Sequence, residues 1–177
     1  MKLIKITLSS FLVFSSLTFC VGTFFSNPIL AHEKEQKKVQ TCLKNLELKN
    51  VFSRETTGIN GAVFMTLINK GNEDLTLVTA TVLPTLAKTV ELHMTKKETT
   101  PDGTEIFKMH PIQSIIIPGN GSKMLKPGAH HIMLMDLQTP LKKGDVISLT
   151  LDFGKDGTCT INAPVREAGY ESKCNCH

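Results

Sequence analysis

The chain has 177 residues, 41% of them hydrophobic and 20% charged, which suits one domain with a packed core and is short for two. With 6% aromatic residues, no Trp and one Tyr, it lacks the stacking platforms of nucleic-acid binders, and its formal charge of +4 includes Lys2 and Lys5 of a leader-like start. Nucleic acid is thereby excluded as a partner, and seven Met and six His, both potential metal ligands, become the compositional feature to explain.

Residues 1–31 read as an export signal. Lys2 and Lys5 precede a largely apolar stretch from Leu8 to Phe25, and Pro28-Ile29-Leu30-Ala31 leads into the charged run His32-Glu33-Lys34-Glu35, which places cleavage after Ala31. The competing reading is an uncleaved anchor, since the stretch approaches the roughly 20 residues that span a bilayer. A lipid-attachment signal at Leu17-Thr18-Phe19-Cys20 is disfavoured because Phe19 sits where such signals take a small residue. The protein is expected to be exported and periplasmic, membrane-tethered only if the leader stays.

Behind the leader, a polar lead-in (32–40) is followed by short strand candidates separated by turn chemistry. Cys42 falls in the first, on the parity of Leu46 and Leu48. Ala62–Ile68 ends at Asn69-Lys70-Gly71-Asn72, and Leu75–Val82 ends near Pro84. Thr89–Met94 precedes Pro101-Asp102-Gly103, whose return arm ends in Met109-His110. Ser114–Ile117 stops at Pro118-Gly119-Asn120-Gly121, His131–Leu137 before Pro140, and Val146–Phe153 at Gly154-Lys155-Asp156-Gly157. Thr158–Ala163 closes the series, with Cys159 on the parity of Ile161 and Ala163. Short runs rich in Val, Ile, Thr and Phe, without a helical period, define an all-β sandwich or barrel over 41–164, with a polar, loosely held tail over 165–177.

Loss of Cys20 with the leader leaves Cys42, Cys159, Cys174 and Cys176, an even number in a compartment that permits disulfides. First and last strands often adjoin in sandwiches, so a Cys42–Cys159 bridge and two buried free thiols are equally weighted alternatives.

The chemistry concentrates between His93 and Met135. If Pro101-Asp102-Gly103 is a hairpin turn, His93 falls nearly opposite Met109 or His110, about 5 Å away. His131 and Met133, two apart on a strand, share a face about 6.5 Å apart. A third strand crossing near the hairpin would bring two His and two Met together. Imidazole with thioether is a soft, neutral donor set that suits copper(I) rather than zinc, calcium or magnesium. Each residue also has a plainer reading: His93 as a surface His on the parity of Thr89 and Glu91, Met109 and Met133 as gap-filling core residues. Met94, on the apolar parity of Val90 and Leu92, is a core residue first and an additional donor second. Met135 belongs to the core or a supporting shell, and His110 and His130 alternate away from the ligand face.

The segment Gly61–Asp152 resembles the PCu(A)C family of periplasmic copper chaperones. The resemblance rests on Gly61–Gly71, Val90-Glu91-Leu92-His93, Met109-His110-Pro111, Leu125-Lys126-Pro127-Gly128 and His131-Ile132-Met133-Leu134-Met135, with residues 110–130 supplying the family's interval of 21 residues between Met and His-x-Met. It implies a cupredoxin-like β-sandwich of Greek-key type and copper(I) ligands at His93, Met109, His131 and Met133; a non-enzymatic role is expected because no Ser-His-Asp arrangement stands out and the candidate site has no evident general base beside it. The resemblance also implies delivery of copper to the copper-site subunit of cytochrome c oxidase or to an intermediary dithiol copper chaperone, by a protein expected to be monomeric. Three departures stand out. The His93–Met109 interval is about four residues longer than usual, an even insertion that keeps both arms facing as before. His130 replaces a common Tyr, and the tail Cys174-Asn175-Cys176-His177 is extra, a candidate second, softer copper site in its reduced form. Rival readings are a copper storage or tolerance protein with the same ligands, a metal-free disulfide-stapled interaction domain, and a blue-copper electron carrier, for which Cys159 lacks a ligand loop.

Overall fold

Val63, Met65 and Leu67 on one strand, and Ile147, Leu149 and Leu151 on another, alternate with more exposed neighbours, and this period of two is what the fold is made from. A computed structural model of the chain describes residues 40–171. The strands are β1 (Gln40–Leu43), β2 (Leu46–Arg54), β3 (Gly61–Asn69), β4 (Leu75–Leu77), β5 (Thr79–Thr81) and β6 (Ala87–Thr99). They continue with β7 (Glu105–Ile112), β8 (Ile115–Ile117), β9 (Ser122–Leu125), β10 (His130–Leu137), β11 (Val146–Asp152) and, after a single 3-10 turn at Gly154–Asp156, β12 (Thr158–Arg166). Among the described residues there is no α-helix, and no helix is long and apolar enough to cross a membrane.

Ten strands form one continuous sheet in the order β5-β11-β12-β2-β3-β10-β6-β7, with β1 added to β2 and β9 to β3; β4 and β8 pair separately. Every ladder is antiparallel except β12 with β2, where Val165 lies opposite Ser53. The β11–β12 end and the β10–β6 end both contribute to a single apolar core, Leu149 and Ile161 from one and Leu92, Ile132 and Leu134 from the other. This is a β-sandwich, as expected. The opposite parity of β6 and β10 carries His93 and His131.

Several boundaries differ from the sequence expectation, each for a local reason. The segment holding Cys42 and Leu48 is two strands, because Lys44-Asn45 turns the chain. Leu75–Val82 breaks at Val78, whose N–H donates to the Asp152 carbonyl, so β4 pairs with β8 while β5 joins β11. β9 has no counterpart among the expected strands, since Ser122–Leu125 offers only four residues of weak alternation. The tail is not loose from residue 165: Val165 extends the buried parity of Ile161 and Ala163, and Tyr170 packs edge-on against Phe52, ring centroids 4.8 Å apart. Arg54 Nε–H donates to the Tyr170 carbonyl at 2.9 Å, holding this segment to β2. A bulge in β2 between Lys49 and Phe52 returns Val51 to the core three residues after Leu48, while Phe52 packs outside that core cluster against Phe64. The leader (1–31), nearly all of the lead-in, and Cys174, Cys176 and His177 lie outside the described residues.

The bridge between Cys42 and Cys159 is formed, with Cα atoms 5.4 Å apart, and ties β1 to β12 across 117 positions of sequence. Of the two alternatives open for these cysteines, the disulfide holds.

Candidate metal centre

β10 lies between β3 and β6, and its pairing with β6 puts His131 directly opposite His93. Directly opposed side chains on one face approach closely, and the two imidazoles sit with centroids 5.8 Å apart. Both are buried, His93 at 8% exposure and His131 at 3%. For His93 this differs from the surface reading suggested by its polar parity. The strand's parity is polar in sequence, but here His93 packs beside His131, whose ring lies 6.3 Å from Phe64.

Each ring has one nitrogen anchored and one left over. His93 Nε2 is 2.8 Å from Glu91 Oε2, and His131 Nδ1 is 3.0 Å from the Ala129 carbonyl oxygen. A carboxylate and a carbonyl accept, so in each neutral ring the anchored nitrogen carries the hydrogen and the other presents a lone pair. Those other atoms, His93 Nδ1 and His131 Nε2, are buried and have no hydrogen-bond partner. Buried polar atoms are nearly always satisfied, and leaving one unpaired costs about 1–3 kcal/mol. Burial, foremost, holds His131 below the ordinary imidazole range, as does the neighbouring His93, against the opposing pull of the Ala129 hydrogen bond. The ring is therefore a neutral donor at pH 7.

Met133 follows His131 on the same face, half-buried, opposite Glu91 on β6 and Ala62 on β3. Met109 lies on β7 opposite Thr95, on the His93 face but one diagonal step away. The hairpin register thus differs from expectation: His93 pairs with Pro111. The loop runs over Thr100–Thr104 and centres on Asp102, with Gly103 at φ 84° and the Thr104 N–H donating to Asp102 Oδ1, which slides the arms past the register assumed for a tighter turn. Met109 is 56% exposed. It nevertheless lines, with His131 and Met133, a cavity of about 360 Å³ whose other walls include Arg54, Phe64, Thr95 and Pro127. His93 is not in the cavity wall; its ring neighbours that of His131, which is. A Cβ at Gly61, also in the wall, would come within 2.9 Å of Leu141 Cδ1, so that leucine would have to shift to admit a side chain.

The remaining candidates lie elsewhere. Met94 pairs with His130 and His110 and occupies the opposite parity, away from the His93–His131 pair. His110 is engaged by Glu98 at 2.6 Å. His130, half-buried on the Met94 side, is lowered in pKa by burial, Lys123 and His131. Met135 shares the Met133 face one step further along, opposite Thr89. Glu91 and the Ala129 carbonyl were not singled out from sequence. An acidic residue two positions before a His on one strand face is a readable signal for the first, whereas the second is a backbone atom with none.

Among the described residues no three His, Cys, Asp or Glu side chains group together in a way that could hold a metal. The side chains lining the cavity beside His131 include the thioethers of Met109 and Met133, which are soft donors. Cys159 is oxidised in the bridge to Cys42 and offers no thiolate.

A buried imidazole pair beside two thioethers, on the outer face of a β-sandwich, is the arrangement, and the sandwich has the fold of PCuAC domains. It superposes on a "Copper-bound PCuAC domain from PmoF2" with a TM-score of 0.59 at 17% identity, covering 73% of this chain and 98% of that one. An "Apo PCuAC domain from PmoF1" gives 0.58 at 19% identity over 73% and 99%. By sequence, residues 46–165 match the family described as "Putative lipoprotein LpqE-like", and the chain belongs to it. It is 34% identical over 106 residues to "Putative lipoprotein Lxx21020" of Leifsonia xyli subsp. xyli (strain CTCB07), a match covering 60% of each chain.

Proposed function

We propose that this domain binds one copper(I) ion through His93, Met109, His131 and Met133 and carries it to an acceptor. The observation that supports this most is the pair of buried, unpartnered imidazole nitrogens beside the Met109–Met133 cavity. Two neutral imidazoles and two thioethers suit a monovalent soft ion, with no surplus thiolate charge to compensate. The PCuAC domain from PmoF2, which has the same fold, is copper-bound, in agreement with this reading.

Copper is cargo here, held by groups that exchange readily, so a dithiolate on an acceptor can take it. The acceptor is proposed to be the copper-site subunit of cytochrome c oxidase or an intermediary dithiol copper chaperone. Export is supported by the disulfide, which belongs to an oxidising compartment, and by the lipoprotein description of the family. That description also weighs for a membrane tether. A blue-copper electron carrier is disfavoured because its Cys thiolate has no candidate here.

Anaerobic copper(I) titration of the chain against a competing chelator is expected to give one equivalent at this site, with mixed nitrogen and sulfur scattering by X-ray absorption. An all-nitrogen or all-oxygen shell overturns the ligand set. Deletion of the gene is expected to lower oxidase activity under copper limitation. Normal oxidase activity with reduced copper tolerance instead favours storage.

A further inference from the structure

Strand parity puts His93 beside His131, which lines the cavity, but does not decide which nitrogen of the His93 ring is left free. Glu91 makes that choice. It lies two residues earlier on β6, on the same face, and directly opposite Met133 of β10. Its Oε2 is 2.8 Å from His93 Nε2, and His93 Nδ1 is the atom left buried without a partner. We infer that Glu91 is a positioning residue for the metal site: it holds the His93 ring with Nε2–H outward, so that Nδ1 is the donor, and its charge offsets that of the bound ion.

The inference rests on the copper(I) reading above and adds to it a residue that does not touch the metal. Two physical effects are separable. The hydrogen bond fixes ring orientation, and such supporting carboxylates typically carry 10–100-fold of metal affinity. The charge matters because four neutral donors leave the single positive charge of copper(I) uncompensated in a mostly buried site, where a nearby carboxylate is screened less than at the surface. His131 is oriented differently, by a backbone carbonyl that brings no net charge. Glu91 is thus the one carboxylate in hydrogen-bond contact with either ring of the pair among the described residues. Its side chain is 38% exposed.

Two variants separate the effects: Glu91→Gln keeps an acceptor oxygen and removes the charge, and Glu91→Ala removes both. The first readout needs no metal. In the metal-free wild-type chain, nitrogen-resolved NMR of the His93 ring is expected to show a slowly exchanging Nε2–H, retained in Glu91→Gln and lost in Glu91→Ala. The second is copper(I) affinity by chelator competition, expected to fall about 10–100-fold in Glu91→Ala and by a smaller factor in Glu91→Gln. A wild-type ring bearing its hydrogen on Nδ1, or an Nε2–H that exchanges no faster in Glu91→Ala, overturns the positioning role whatever the metal result. Equal affinity of wild type and Glu91→Gln overturns the charge role. If the wild-type chain itself fails to take up copper(I), the functional reading falls, and the NMR result still decides the orientation of His93. Should Glu91→Ala not fold, the wild-type proton assignment and Glu91→Gln carry the test.

Discussion

His131→Phe should make the metal-free protein more stable and the copper-loaded protein less so than wild type. The His131 ring is 3% exposed, and its Nε2 has no partner, at a cost of about 1–3 kcal/mol. Phenylalanine removes that cost and gives Phe64, already 6.3 Å from the imidazole, an aromatic neighbour. It also removes the Nδ1–H bond to the Ala129 carbonyl, a loss of about 0.5–1.5 kcal/mol. That oxygen is not orphaned, because the Thr95 N–H donates to it at 3.1 Å. The net expectation is a gain of about 1 kcal/mol, or about 4 °C in melting temperature for a domain of this size. Loading reverses the order. Free copper(I) at a hundredfold excess over the dissociation constant stabilises wild type by about 2.7 kcal/mol and a chain that cannot bind it by nothing. Urea denaturation with and without chelated copper(I) measures both. A metal-free variant destabilised by more than about 1 kcal/mol would refute the assignment of His131 Nε2 as an uncompensated atom. Equal copper stabilisation of both chains would remove His131 from the site.

Replacing Cys42 and Cys159 by Ser opens a loop of 117 positions, for which the chain-entropy model gives about 4.9 kcal/mol; a loss below about 1 kcal/mol in urea-unfolding free energy would contradict it. Met109→Leu, at a 56% exposed position, should leave the melting temperature within about 2 °C while lowering copper(I) affinity tenfold or more. Because His131 is held below its ordinary value of 6.5, the unfolded chain takes up a proton that the folded one resists. Stability should therefore decline as pH falls through 6.5 toward the lowered value, a decline that His131→Phe reduces. The tail is proposed as a second, softer site: with Cys174 and Cys176 changed to Ser, the reduced chain should lose about one equivalent of copper(I) and keep the His-Met signature. Unchanged stoichiometry would dismiss the tail site.

The parity of the strands was readable because alternation is a property of the residues themselves. Ile132 and Leu134 turn inward, and that sends His131 and Met133 the other way. Register was less readable. It depends on how many residues a turn consumes, and the five-residue loop at Thr100–Thr104 moved Pro111, not Met109, opposite His93. The burial of His93 was not readable at all from β6, whose Thr89, Glu91 and Thr95 suggest a wet face; its ring neighbour is His131 of β10, which itself lies beside Phe64 of β3. The bulge in β2 shifts the phase of alternation, so that Leu48 and Val51, three residues apart, both belong to the core.

The four proposed donors are unequally sheltered: both imidazoles are buried, Met133 is half-buried, and Met109 stands mostly in solvent. Ligands of a bound ion leave one at a time, and the least confined goes first. An acceptor thiolate arriving at the open side can occupy the place that Met109 vacates before the deeper groups let go. Transfer by that route is associative, with a rate that rises with acceptor concentration, whereas spontaneous loss to water must break all four bonds unaided. On the proposed ligand set, the asymmetry would let one site be slow to leak and quick to hand over, with no change in the sandwich behind it.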